Sequence, residues 1–201
     1  MRVIGVTKGF GPEEVRAACR AGLRDLGENY AAELVAKAAA PRRDDAGGDD
    51  GDDAVVWHFL GAVQRNKVAQ LAPLVGLWQS VARESEGERI ARFAPGARVL
   101  VQVETTGLPG RNGCRPAAAG ELVGRLRDLG LDVQGLMTVA APGEGAATQS
   151  FEALARLADH LGLEERSMGM SDDLEAAVAA GTTMVRIGRA LFGERPPLAV
   201  A

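Results

Sequence analysis

Met184-Val185-Arg186-Ile187-Gly188-Arg189-Ala190-Leu191-Phe192-Gly193 reads as a short, mostly apolar strand that runs into a glycine and then a helical turn. It is the last of eight such strands, and the count decides the architecture. Working back towards the N-terminus, strands are expected at 166–170, 132–138, 97–104, 76–81, 55–61, 24–27 and 2–8. Helical patterns separate them. Gly11-Pro12-Glu13-Glu14 opens the first helix with proline in its first turn and acids at the positive end of the dipole, and Gly22 closes it. An Ala-rich helix follows Glu28-Asn29-Tyr30, and others are expected at 63–71, 84–93 and 116–129, the last with Leu122, Leu126 and Leu129 on one face. Phe151, Leu154, Ala158 and Leu161 mark a further helix, ended by Gly162. Asp172 and Glu175 have capping-box spacing at the head of the next. Eight strands alternating with helices predict a closed parallel (β/α)8 barrel rather than an open sheet, with residues 1–201 forming a single domain.

One part of that plan is missing. Only residues 188–195 and a Pro-Pro tail follow the eighth strand, and no helix precedes the first. The groove between the first and last strands is therefore expected to expose apolar side chains.

Composition narrows the class. Of 201 residues 46% are hydrophobic but only 4% aromatic, so the core rests on Ala, Val, Leu and Ile. No apolar run approaches the roughly 20 residues of a membrane helix. Met1-Arg2-Val3-Ile4-Gly5-Val6 does not read as a signal peptide, and Cys19 and Cys114 lack metal or disulfide spacing. A cytoplasmic protein with reduced thiols is expected. The net charge of −4 resides in residues 41–53, PRRDDAGGDDGDD, with six Asp against two Arg. Rich in glycine and without apolar anchors, that stretch reads as a flexible, solvated acidic loop rather than a metal site. The balanced remainder argues against a nucleic-acid face.

The chemistry-bearing residues are few. The chain has three lysines, Lys8, Lys37 and Lys67. Lys37, in a helix, and Lys67, in Gln64-Arg65-Asn66-Lys67, read as solvated. Lys8 ends the apolar run Val3-Ile4-Gly5-Val6-Thr7, at the strand end that forms the active face of a barrel. A partly desolvated lysine there can lose its proton and attack a carbonyl, although position alone allows an ion pair equally. Arg186 is an always-charged residue inside an apolar strand, on the same face as Met184 and Gly188. It fits a ligand contact or a salt bridge with a barrel glutamate. Gly188 permits close backbone approach, and barrels often hold phosphate after strands seven and eight. Ser167, Gly169 and Ser171 share one strand face; the Ser171 hydroxyl could serve phosphate or cap the next helix.

Val6-Thr7-Lys8, Gly27-Glu28-Asn29-Tyr30, Trp57-His58-Phe59-Leu60-Gly61, Gln64-Arg65-Asn66-Lys67, Gly135-Leu136-Met137, Ser167-Met168-Gly169-Met170-Ser171-Asp172-Asp173-Leu174-Glu175 and the Met184 stretch resemble, in order, the YggS/PROSC family of pyridoxal-phosphate homeostasis proteins. The resemblance implies a TIM barrel of the alanine racemase N-terminal-domain type (fold type III among pyridoxal-phosphate proteins). It also implies pyridoxal 5'-phosphate bound as an aldimine to Lys8, with Arg186 facing the pyridine nitrogen. Gly188 and Arg189 would meet the phosphate through backbone amides, and Ser171 and Ser167 through hydroxyls. Asn29 would line the cofactor, where its other reading is a turn residue. His58 reads as a satisfied strand histidine.

The chain also departs from the family pattern. It starts at the lysine strand, where the family carries an N-terminal helical segment; Thr7 and Gly9 stand where Ser and Thr are usual. Leu108-Pro109-Gly110-Arg111-Asn112-Gly113-Cys114 replaces a more acidic, lysine-containing loop. The expected role is to hold, buffer and deliver the vitamin B6 cofactor, with apo pyridoxal-phosphate enzymes as recipients and no nucleic-acid or membrane partner. A monomer or weak self-association is expected. An arginine at the pyridine nitrogen weakens the ring as an electron sink, and Tyr30 is the single tyrosine. The alternative is a Schiff-base enzyme such as a weak amino-acid racemase.

Overall fold

The β-branched residues Val3, Ile4 and Val6 carry Arg2–Val6 into strand β1 of the computed structural model, which describes residues 1–40, 55–143 and 145–195. The acidic segment at 41–53 lies outside the described residues. In chain order come α1 (Pro12–Arg20), β2 (Asp25–Glu28), α2 (Ala31–Ala39), β3 (Val56–Phe59), α3 (Val68–Leu71), β4 (Val75–Val81), α4 (Glu84–Phe93) and β5 (Arg98–Gln102). After a short 3-10 turn at Pro116–Ala118 follow α5 (Ala119–Asp128), β6 (Asp132–Met137), α6 (Ala146–His160), β7 (Glu165–Ser167), α7 (Leu174–Ala179), β8 (Met184–Ile187) and α8 (Arg189–Phe192). All eight expected strands are present. They close in sequence order, each parallel to the next, and β1 pairs with β8 through Arg2↔Met184 to Gly5↔Ile187.

Strand alternation divides the core in two. Ile4, Leu77, Leu100, Met137 and Met184 point into the barrel and pack together there. The opposite faces of the strands, with Leu26, Trp57, Phe59, Trp78, Val99 and Val101, meet the helices' apolar stripes, such as Phe151 and Leu154 of α6. No helix among the described residues is long and apolar enough to cross a membrane.

Several boundaries move. The helix expected at 63–71 is helical only from Val68, because Gln64 to Lys67 form a turn closed by Lys67 N–H on the Gln64 carbonyl at 2.8 Å. β7 stops at Ser167, before the left-handed Gly169 (φ +98°), whose missing side chain also lets Ala177 approach. Asp172 does not cap α7. Asp173 occupies the cap position and accepts the Met170 N–H at 2.5 Å, while Asp172 pairs with Arg189.

The groove between β1 and β8 is not bare. Gly5 leaves a hollow that Leu23 and Phe192 fill, and Phe192 also packs on Phe10 with ring centroids 5.5 Å apart. The outward Val185 and Ile187 are buried, and Val3 is half-buried; among the described residues, the exposed large apolar side chains near this seam are Met1, ahead of β1, and Val178 and Leu191 at the flanks. α8 is short, but one aromatic ring from it spans much of the gap.

Candidate functional site

Lys8 stands two residues beyond β1, in a turn closed by the Phe10 N–H on the Thr7 carbonyl at 3.0 Å. Gly9 turns the chain at φ +77°, and the Arg195 side chain lies over it. Half-burial, first of all, and the positive charges of Arg195 and Arg186 hold the Lys8 amine below the ordinary 10.5; Glu28 and Glu33 oppose this. A larger neutral fraction makes this amine a better nucleophile than a surface lysine.

Arg186 is buried on the inner face of β8. Its guanidinium donates to Ser167 Oγ at 2.7 Å and to the Thr138 carbonyl at 2.7 Å, and forms no salt bridge with a carboxylate among the described residues. Burial lowers its pKa to about 10, against the opposing charge of Asp173, so it remains a cation at neutral pH. Below it runs a line of hydrogen bonds. Ser167 Oγ donates to Gln79 Oε1 at 2.6 Å, across the lumen from β7 to β4. Gln79 Nε2 lies 2.7 Å from His58 Nδ1, and His58 Nε2 lies 2.8 Å from Asp25 Oδ1. An amide NH2 only donates, so Nδ1 accepts and Nε2 carries the proton: a neutral imidazole. Burial accordingly holds the His58 pKa below the usual 6.5, against the pull of Asp25. Burial is the largest single influence on Asp25 and opposes its ionisation, but the His58 interaction together with the charges of Arg2 and Arg98 outweighs it and keeps the carboxyl below the ordinary value.

At the mouth, the β7–α7 and β8–α8 loops are tied by an ion pair between Arg189 and Asp172, which brings the half-buried Ser171 and Gly188 segments side by side. Asn29, half-buried, begins the turn after β2. Gly61 at the end of β3 makes that turn possible: a Cβ there would fall 1.9 Å from the Asn29 carbonyl oxygen.

Of the residues expected at the site, Lys8, Arg186, Ser171, Gly188, Arg189 and Asn29 all lie at or just beyond the C-terminal ends of strands. Ser167 lies deeper, its hydroxyl committed to Arg186 and Gln79. Lys37 corrects the sequence reading. It is buried, because the inward stripe of α2 passes through Leu34 and Lys37, and Glu28, Glu33 and the Thr7 carbonyl compensate its charge. Lys67 is exposed, as read. Gln79, Thr138 and Arg195 went unnoticed. Gln79 carried a signal, being a polar residue inside the apolar run Leu77–Val81; the other two carried none.

The alanine racemase N-terminal domain family matches residues 3–196. Pyridoxal phosphate homeostasis proteins of Pseudomonas aeruginosa and Deinococcus radiodurans are 37% and 38% identical, each over 96% of this chain and over 84% and 88% of their own lengths. The structure of PipY from Synechococcus elongatus, solved with pyridoxal phosphate bound, superposes with a TM-score of 0.82 at 31% identity, covering 96% of this chain and 92% of that one. With a barrel mouth that gathers an activated lysine, a buried arginine and two tied loops, the chain belongs to the family of pyridoxal phosphate homeostasis proteins.

Proposed function

We propose that this protein binds pyridoxal 5'-phosphate through Lys8 and serves as a cytoplasmic carrier that buffers the cofactor and delivers it to apo enzymes. The observation that carries this reading is the pairing of a half-buried lysine of depressed pKa with a buried arginine that has no carboxylate partner among the described residues. A cation left without a counter-charge in a low-dielectric barrel favours an anionic or electron-rich guest. The donor set fits the cofactor: one amine, one fixed guanidinium, and hydroxyl and backbone N–H donors at two adjoining loops. Bound there, pyridoxal phosphate supplies an aldehyde that an amine captures reversibly, with loss of one water.

Lys8 is the capturing amine, ready because more of it is unprotonated at neutral pH than of an ordinary lysine. Arg186 would face the ring nitrogen as a donor and, staying charged at neutral pH, would be a poor acid towards it. The Ser171 hydroxyl and the Gly188 and Arg189 N–H groups would hold the phosphate, and Asn29 would line the ring. Ser167 acts through Arg186, since its hydroxyl is already engaged on both sides. Robust amino-acid turnover needs a placed acid–base pair, and Tyr30 is 60% exposed. Carriage therefore fits better than racemisation. Free thiols at Cys19 and Cys114 suit a reducing compartment.

Borohydride reduction of the loaded protein followed by peptide mass spectrometry tests the assignment. The adduct is expected on Lys8 and absent from Lys8→Ala; an adduct confined to Lys37 or Lys67 refutes it. Substantial turnover of any amino acid, lost in Lys8→Ala, overturns the carrier reading in favour of an enzyme.

A further inference from the structure

Lys37 is a buried charge that the capture chemistry leaves unexplained. Its Nζ donates to the Thr7 carbonyl at 2.7 Å, to Glu28 Oε1 at 2.5 Å and to Glu33 Oε2 at 3.0 Å, so three ammonium hydrogens meet three acceptors. Glu33 Oε2 also accepts the Gly9 N–H at 2.8 Å. The Thr7 hydroxyl donates to Glu28 Oε1 at 2.6 Å.

The Thr7 carbonyl belongs to the peptide before the Lys8 Cα, and the Gly9 N–H to the peptide after it. Two planes meeting at one Cα fix its φ and ψ, and these fix the direction in which the Lys8 side chain leaves the backbone. The cluster therefore grips both peptides that aim the capturing amine. Stability alone is a poor reason for it, since well-packed apolar residues generally serve a helix–barrel contact at least as well as a buried ion pair. Nor does the turn itself need it, because the Thr7 carbonyl already accepts the Phe10 N–H.

We propose that Glu28, Glu33 and Lys37 form a positioning clamp for Lys8, holding the peptides on either side of it so that its amine points into the barrel mouth. The clamp rests on the reading of Lys8 as the capturing residue.

Two variants separate aim from folding. Lys37→Met alone would strand the Glu28 carboxylate, so Glu28→Gln with Lys37→Met removes both charges at similar volume. Glu33→Ala cuts the half-exposed arm that holds Gly9. In the ligand-free protein, amide exchange at Gly9 is expected to rise at least about tenfold in Glu33→Ala, with little loss of melting temperature. In both variants the dissociation constant for pyridoxal phosphate is expected to rise about tenfold to a hundredfold, as for misplacing a reacting group by an ångström or less. Glu33→Gln, which keeps an acceptor oxygen, should restore most of the Gly9 protection and affinity.

Unchanged Gly9 exchange in Glu33→Ala overturns the clamp. So do variants that hold the cofactor with wild-type affinity and visible spectrum. Should the double variant fail to fold, Glu33→Ala decides alone. A wild-type protein with no adduct on Lys8 overturns the capture reading itself, an outcome distinct from a wild-type adduct that the variants leave undisturbed.

Discussion

Ser167 Oγ stands between two partners: it accepts from Arg186 Nη1 at 2.7 Å and donates to Gln79 Oε1 at 2.6 Å. Both of its roles are fixed, because a guanidinium only donates and an amide oxygen only accepts. The direction of every later bond follows, through Gln79 and His58 to Asp25. The arginine at the mouth is thus aligned by a polar line that crosses the barrel interior.

Ser167→Ala should break that line at both ends, leaving a buried guanidinium N–H and a buried amide oxygen without partners. A stability loss of about 1–3 kcal/mol per stranded group is expected, along with weaker cofactor retention. Urea unfolding and a pyridoxal-phosphate titration measure the two effects. Ser167→Thr, which keeps the hydroxyl, should retain more affinity than Ser167→Ala.

His58 predicts a pH dependence of stability. Burial first of all, then the charges of Arg2 and Arg98, hold its folded pKa below the ordinary 6.5, against the opposing pull of Asp25. As pH falls, the unfolded chain takes up this proton first, so stability is whole above about pH 6.5 and declines as pH drops towards the folded value. His58→Gln should flatten that part of the curve whatever its effect on absolute stability. Unfolding midpoints at a series of pH values between neutral and mildly acidic test the slope.

Capture at Lys8 should depend on pH in the opposite sense to protonation. The rate of borohydride-trappable adduct formation is expected to rise with pH and reach half its maximum below 10.5, the ordinary lysine value. Burial is the main cause and the Arg195 charge the next, so Arg195→Ala should move the midpoint upward without abolishing the adduct. A midpoint unmoved in Arg195→Ala would show that Arg195 has no electrostatic hold on Lys8.

Gly61→Ala places a methyl group against the Asn29 carbonyl, where backbone must shift to admit it. Overpacking of this kind costs about 1–3 kcal/mol, and here the strain falls on the turn that carries Asn29. A lower melting temperature and reduced cofactor affinity are expected together. Affinity unchanged in the folded variant would argue that Asn29 does not line the cofactor.

Much of this arrangement was legible in the residues. Alternation along β8 was enough to set Arg186, Met184 and Gly188 on the inner face, and the end of β1 singled out Lys8. What escaped had a common cause. Lys37 reads as solvated because a charged helix residue usually is, yet besides Glu33 one turn earlier its compensating groups, Glu28 and the Thr7 carbonyl, come from outside the helix, at the ends of β2 and β1. Its position three residues after Leu34, on the one inward stripe of α2, was the available clue. The resemblance assigns Ser167 to the phosphate, and nothing local speaks against it, because its partner Gln79 lies 88 residues away and meets it only across the closed lumen. Strand faces are local properties of a sequence; hydrogen bonds through a barrel are not.

β7 and β8 share a single register pair, Ser167↔Met184. Beyond it, the loops carrying Ser171 and Gly188 are joined at their rim by Arg189 and Asp172, whose side chains are 52% and 79% exposed. Exposed pairs of this kind contribute about 0–1 kcal/mol and weaken with salt. The adjoining wall, at Thr7-Lys8-Gly9 beyond β1, is fastened by buried charges. On the proposed reading the mouth is lopsided, stiff beside the capturing lysine and compliant where the anionic end of the cofactor would rest. Unloading should begin at the compliant side, and raised ionic strength should hasten it.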